Sequence, residues 1–170
     1  GMDPEKDLTI IQNIDFGVTA EAFASGTGDY TIEFEPHATG IEKEGQGKVI
    51  ASLGVDSGYV PYTCFSSLNS YINEHPDILQ KFTKAIQKGL DYVNSHTSEE
   101  IAKIIQPQFE ETDFDTLKKI VERYHNQDTW KKDTIFTEDA FELLQNILEE
   151  AGVIDKRADY NVLVTTQFSK

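Results

Sequence analysis

The chain of 170 residues has a single cysteine, Cys64, one methionine and one tryptophan. One cysteine excludes an intrachain disulfide and a thiolate metal cluster. No apolar run approaches the roughly 18 residues needed to span a bilayer, and the first residues lack the charged-then-apolar pattern of a signal segment, so a soluble chain is expected. Basic residues are scarce: 15 against 30 acidic ones give a formal net charge of -15. A phosphate backbone calls for a basic face, so no nucleic-acid partner is expected. The acidity reads as solvated helix surface, and it leaves room for an anionic small ligand, because local backbone dipoles outweigh distant screened charges. His37, His75, His96 and His125 stand apart without metal-ligand spacing. No Gly-x-Ser-x-Gly elbow occurs, and Gly26-Thr-Gly28 lacks the third glycine of a dinucleotide loop. No metal, no cofactor and no catalytic group is therefore expected.

What is present suits a folded globular chain: 38% hydrophobic and 26% charged residues, enough for one core or two small lobes sharing a connector. Residues 8–14, Leu-Thr-Ile-Ile-Gln-Asn-Ile, are β-branched and bounded by charge and by Asp15 with Gly17, the pattern of a buried strand. A short helix is expected from Thr19, which is suited to be its N-cap, ending near Gly26. Tyr30, Ile32 and Phe34 alternate with Thr31, Glu33 and Glu35 as a strand over 30–35, which Pro36 ends. A helix over 38–44 stops at Gly45 and Gly47, and further strands are expected over 48–53 and 59–65. Strands alternating with short helices imply an α/β fold with a mostly parallel sheet.

From Ser70 onward the pattern turns helical, with helices expected at about 76–95, 97–106, 113–125 and 137–151. Their start signals are His75-Pro76, Thr97-Ser-Glu-Glu100, Thr112-Asp113 and Thr137-Glu-Asp139. Ile78, Phe82, Ala85, Ile86, Leu90 and Val93 form one apolar stripe, and Ala140, Phe141, Leu144, Ile147 and Leu148 another.

Several segments together resemble a known group. Ile10-Ile-Gln-Asn-Ile14, Ala22-Phe-Ala-Ser-Gly-Thr-Gly-Asp29, Phe34-Glu-Pro36, Val60-Pro-Tyr-Thr63 and His75-Pro-Asp77 before a long amphipathic helix look like the solute-binding components of ABC importers for nitrate, sulfonate, taurine and thiamine-pyrimidine precursors. The resemblance implies a periplasmic-binding-protein type II-like α/β fold, cut so that most of the second lobe is present with the helices that coat the first. On that reading residues 1–58 are a partial ligand-closing lobe, and 59–170 are the return strand and coat helices. Gly1-Met2-Asp3-Pro4 suits either a chain start or an internal helix-to-strand turn. A small-molecule solute, an ABC permease and an extracellular or periplasmic, membrane-associated setting are implied for the full-length family. Helices lacking the sheet they should cover would expose large apolar patches. A homo-oligomer is therefore expected, with exchange of residues 59–95 between copies as one route. The related pyrimidine-synthase enzymes carry a cysteine-rich motif, and with Cys64 alone this chain is expected to bind rather than catalyse; an enzyme of that kind and a non-binding, self-associating fragment are the alternatives.

For ligand contact the candidates are Asp15, Phe16, Thr19, Glu35, Tyr59 and Tyr62. The turn after the first strand offers free N–H groups at a helix start, where anions are favoured. Asp15 opposes an anion and suits a cationic or amino-bearing ligand, or else it only shapes the turn. Thr19 either bonds the ligand or caps its own helix. Phe16, Phe34, Tyr59 and Tyr62 can stack on a planar ligand or belong to a core. Glu35 matches the acidic position of the family's aromatic-acid-Pro triplet, where ligand contact and a structural role at the hinge compete.

Overall fold

The computed structural model describes residues 2–4 and 6–169. A 3-10 turn, Phe16–Val18, leads into helix α1 (Thr19–Ala24), followed by α2 (His37–Lys43), α3 (Leu53–Asp56) and α4 (Asn69–Glu74). Then come α5 (Pro76–Ser95), α6 (Ser98–Ile105), a second 3-10 turn, α7 (Phe114–Asn126), α8 (Glu138–Glu150) and α9 (Tyr160–Leu163). The four long helices start where their caps dictate. Pro76 opens α5 at its first turn, where a missing N–H costs nothing. Thr97 and Glu100 close a reciprocal capping box on α6. The side chains of Asp113 and Thr137 accept from the N–H groups of Thr116 and Ala140 at the heads of α7 and α8.

The core lies between α6 and α7. Ile101, Ala102, Leu117 and Val121 are buried there, with Tyr92, Val93, Ile105 and Trp130 packed around them. His125 is bonded through Nε2 to the Val93 carbonyl at 2.9 Å and meets Trp130 edge-on, tying the end of α7 to α5. On α8, Phe141 packs against the Phe136 and Tyr160 rings, and Gln145 clasps both backbone groups of Ala158.

The expected α/β, periplasmic-binding-protein type II-like sheet is absent: among the described residues there is no strand. Segments 8–14, 30–35, 48–53 and 59–65 form no ladder. Alternation and β-branching favour extended backbone, but a strand exists only when a neighbour takes up its lateral N–H and C=O groups. A few of those groups turn to local partners instead. The Val49 N–H, near the start of the expected third strand, goes to the Glu42 carboxylate at 3.0 Å, and the Val60 N–H bonds back to the Gly58 carbonyl. Ile10, Ile32, Ile50 and Phe65 are accordingly exposed. The end of the 48–53 segment is helical instead, because α3 begins at Leu53.

Two short helices give this region its own small contact. α1 ends in an αL glycine, Gly26 (φ 93°), with the Thr27 N–H reaching back to the Ala22 carbonyl, the expected helix stop. Thr19 is the first residue of α1 and not its cap; the capping position falls to Val18, which has no side-chain bond to give. Gly47 crosses over Phe23 and Ile41, where a Cβ would stand 2.8 Å from Ile41 Cγ2 and 2.9 Å from Phe23 Cε1. Its bare Cα lets the loop close α1 onto α2. On α5 the expected stripe is only half used: Ile78 and Phe82 remain exposed, with Phe65 edge-on to Phe82 at 4.8 Å.

Candidate functional site

The 3-10 turn, segment 30–35 and segment 59–65 bring three aromatic rings into a row. Phe16 meets Phe34 edge-on with centroids 5.2 Å apart, and Phe34 meets Tyr62 at 5.1 Å. Both spacings are those of favourable aromatic pairs. The row is one-sided: Phe16 is 63% and Tyr62 77% exposed.

Polar groups border it. Asp15 sits exposed at the head of the turn, its carbonyl accepting from the Val18 N–H and its carboxylate bonding no cap. The Thr19 hydroxyl lies 3.1 Å from both the Phe16 carbonyl and Glu33 Oε2, and Glu33 Oε1 accepts from Thr31 at 2.7 Å. α1 has only six residues and carries Glu21 in its first turn. Asp15, Glu21 and Glu33 therefore surround the turn with acid, which works against an anion and for an amino-bearing group.

Glu35 and Tyr59 go elsewhere. The Glu35 side chain is 4% exposed; one oxygen accepts from the Thr39 N–H at 3.0 Å, and the other takes the Thr39 hydroxyl at 2.9 Å and the Arg123 guanidinium. Tyr59 donates to Asp128 at 2.5 Å, and this hydrogen bond and the Asp128 charge hold its phenol above the usual range. Of the six expected contact residues, then, Phe16 and Tyr62 share a wall through Phe34, Asp15 and Thr19 edge it, and Glu35 and Tyr59 are engaged with α7 and the residues that follow it.

The residues that sequence reasoning missed lie on α7. Arg123 also reaches Thr39 at 3.2 Å and Glu42 at 2.6 Å, and Lys119 bonds Glu42 at 3.0 Å. The Val49 N–H first, then Lys119, and Arg123 against the opposing effect of burial, pull the Glu42 carboxyl down to about 2. Burial works against the Arg123 charge, yet hydrogen bonds and charge from Glu42 and Glu35 hold its guanidinium above the usual range. Thr116, Lys119, Arg123 and Gln127 recur at helical spacing. That polar stripe was the available signal, and in a sequence it looks the same as a solvated face.

Two open depressions, of about 460 and 290 Å³, lie away from the rings. They are lined by side chains such as Glu99, Lys103 and Lys118, or Lys43, Asp115 and Lys119. Neither has the apolar lining usual for a small-molecule pocket. Among the described residues no group of three or more His, Cys, Asp or Glu could hold a metal ion. No described helix is long and apolar enough to cross a membrane.

Comparison with known proteins gives two matches. Residues 1–100 match the model of the NMT1/THI5-like family. The chain is 43% identical over 169 residues to the "Putative binding protein YtlA" of Bacillus subtilis (strain 168), covering 99% of this chain and 51% of that protein. The chain thus spans about half the length of that curated relative. No solved structure matches this chain.

Proposed function

Because the chain belongs to the NMT1/THI5-like family, we propose that it binds a small solute, with the Phe16–Phe34–Tyr62 row as one wall of the ligand cleft. The observation that carries this is the convergence of three rings from three separate segments, left open to solvent and edged by polar side chains. The binding-protein name of the Bacillus relative supports the same reading.

Among the solutes that the resemblance to ABC-importer binding components implies, the wall favours a planar, amino-bearing one, such as a thiamine-pyrimidine precursor, over nitrate or a sulfonate. Stacking supplies the planar preference, and Asp15 with Glu21 and Glu33 supplies the charge preference. The role is that of the substrate-binding component of an ABC importer, outside the cytoplasm and delivering to a membrane permease. Binding is proposed rather than turnover because the cysteine-rich motif of the related pyrimidine synthases has no counterpart in a chain whose one thiol is Cys64.

Self-association belongs to this reading. The chain exposes 12822 Å², whereas a compact monomer of its mass exposes about 8,400 Å². The excess, about 4,400 Å² per chain, is more than the roughly 1,000–2,500 Å² that each partner of an obligate interface usually buries. Sedimentation should show a dimer or higher species, and a monodisperse monomer that fails to bind an apolar dye would refute it.

A thermal-shift panel of 4-aminopyrimidine, nitrate, bicarbonate and simple sulfonates tests the solute. A ligand at about 100 times its Kd adds roughly 2.7 kcal/mol. Stabilisation by the aminopyrimidine that is absent in Phe16→Ala and Tyr62→Ala is expected; no response to any compound would sink the proposal.

A further inference from the structure

We infer that Arg123 is a positioning residue for the aromatic wall: from α7 it holds Glu35, the residue next to Phe34, and so sets where the wall stands against the helical core. Only the purpose of the wall rests on the reading above; its position can be measured without any ligand.

Residues 35–59 reach α7 and its C-terminal turn through a series of polar side-chain bonds. Arg123 takes Glu35, Thr39 and Glu42; Lys119 takes Glu42; Lys43 meets Asp113 at 2.6 Å and Thr116 at 3.2 Å. Ser52 donates to Gln127 at 2.8 Å, and Tyr59 to Asp128. Leu117 and Val121, further round α7, are buried in the core, while Ile120, three residues from Arg123, is buried beside the polar stripe. One helix therefore has an apolar face in the core and a polar face that grips the segment carrying the wall.

These contacts are unequal. Lys43 and Asp113 are both more than half exposed, and such pairs hold little. Arg123 and Glu35 are 22% and 4% exposed. Removing the guanidinium leaves a buried carboxylate without its countercharge, the costly way to break a pair. The planar fork also fixes direction, because its two terminal nitrogens reach Glu35 at the mouth of α2 and Glu42 near its end. Two anchors at the two ends of α2 fix its orientation on α7, and Phe34 enters α2 through Glu35 and Pro36. A point charge such as Lys would hold one anchor at a time.

The sequence supplies its own reporters. Trp130 is the one tryptophan and packs on the α6–α7 core; Cys64 is the one cysteine, exposed and two residues from Tyr62. The test is energy transfer from Trp130 to a dansyl acceptor on Cys64, with labelled chains diluted into an excess of unlabelled Trp130→Phe chain so that transfer within one chain is read. Arg123→Gln should change the transfer efficiency while far-UV circular dichroism stays at the wild-type value. Arg123→Lys should restore it partway, and Glu42→Gln should shift it less than Arg123→Gln does. Unchanged transfer in a folded Arg123→Gln chain overturns the inference. If that variant does not fold, identical transfer in wild type, Arg123→Lys and Glu42→Gln overturns it instead. A chain that binds no probe in the thermal-shift panel would cost the solute reading and leave this result standing.

Discussion

The segment from residue 8 to 65 and the helices from 76 to 150 are built from similar proportions of apolar residues, yet the first buries one of them, Ile41, and the second buries most of the core. A helix closes its own backbone hydrogen bonds, so α6 and α7 need only one matching stripe each to make a core of Ile101, Ala102, Leu117 and Val121. The segments patterned as strands depend on a neighbour for every lateral bond, and Ile10, Ile32, Ile50 and Phe65 stay in solvent. Self-sufficient elements fold where they stand; the others wait for company.

The contrast is easiest to break in the core. Leu117→Ala should lower stability in urea by about 3 kcal/mol, while Ile32→Ala at an exposed site should stay within about 0.5 kcal/mol; equal losses would mean that both regions are packed alike. At the joint between them, Glu42→Gln should cost about 1.5 kcal/mol at pH 7, the scale of hydrogen bonds to charged groups. The Glu42 carboxyl is held down at about 2 in the folded chain, below its unfolded value. Its contribution is therefore complete above the unfolded pKa of about 4.3 and fades as pH falls from there towards 2. Denaturation at pH 7 and pH 3 should show the gap between wild type and Glu42→Gln narrowing at the lower pH; a constant gap would contradict the pairing.

Smaller effects sharpen the comparison. Thr97→Ala removes a capping box and should cost about 1 kcal/mol, whereas Thr19→Ala removes no cap and should cost less, as thermal melts of the two would show. Phe16→Ala and Tyr62→Ala should change stability least, within about 0.5 kcal/mol, while abolishing any stabilisation by an aminopyrimidine.

The sequence made the long helices legible because their signals are local. Thr97 with Glu100, Asp113, Pro76 and Thr137 each announce a helix start within one turn, and Gly26 and Gly45 mark stops through positive φ. Strand pairing is not local, and alternation at Tyr30, Ile32 and Phe34 cannot say whether a neighbour exists. Phe16, Phe34, Tyr59 and Tyr62 could be named as rings able to stack on a ligand, but not which of them would meet: three form the row, and Tyr59 bonds Asp128 instead. Arg123 could not be picked out: it lies 88 residues from Glu35, and no short-range pattern links them.

Gly47 bears on how related sequences can drift. With Ile41 and Phe23 under 3 Å from where its Cβ would be, any larger residue there collides unless one of those side chains shrinks. Positions 23, 41 and 47 should therefore change together among relatives, as a coupled trio, and a lone Gly47→Ala should appear only beside a smaller partner.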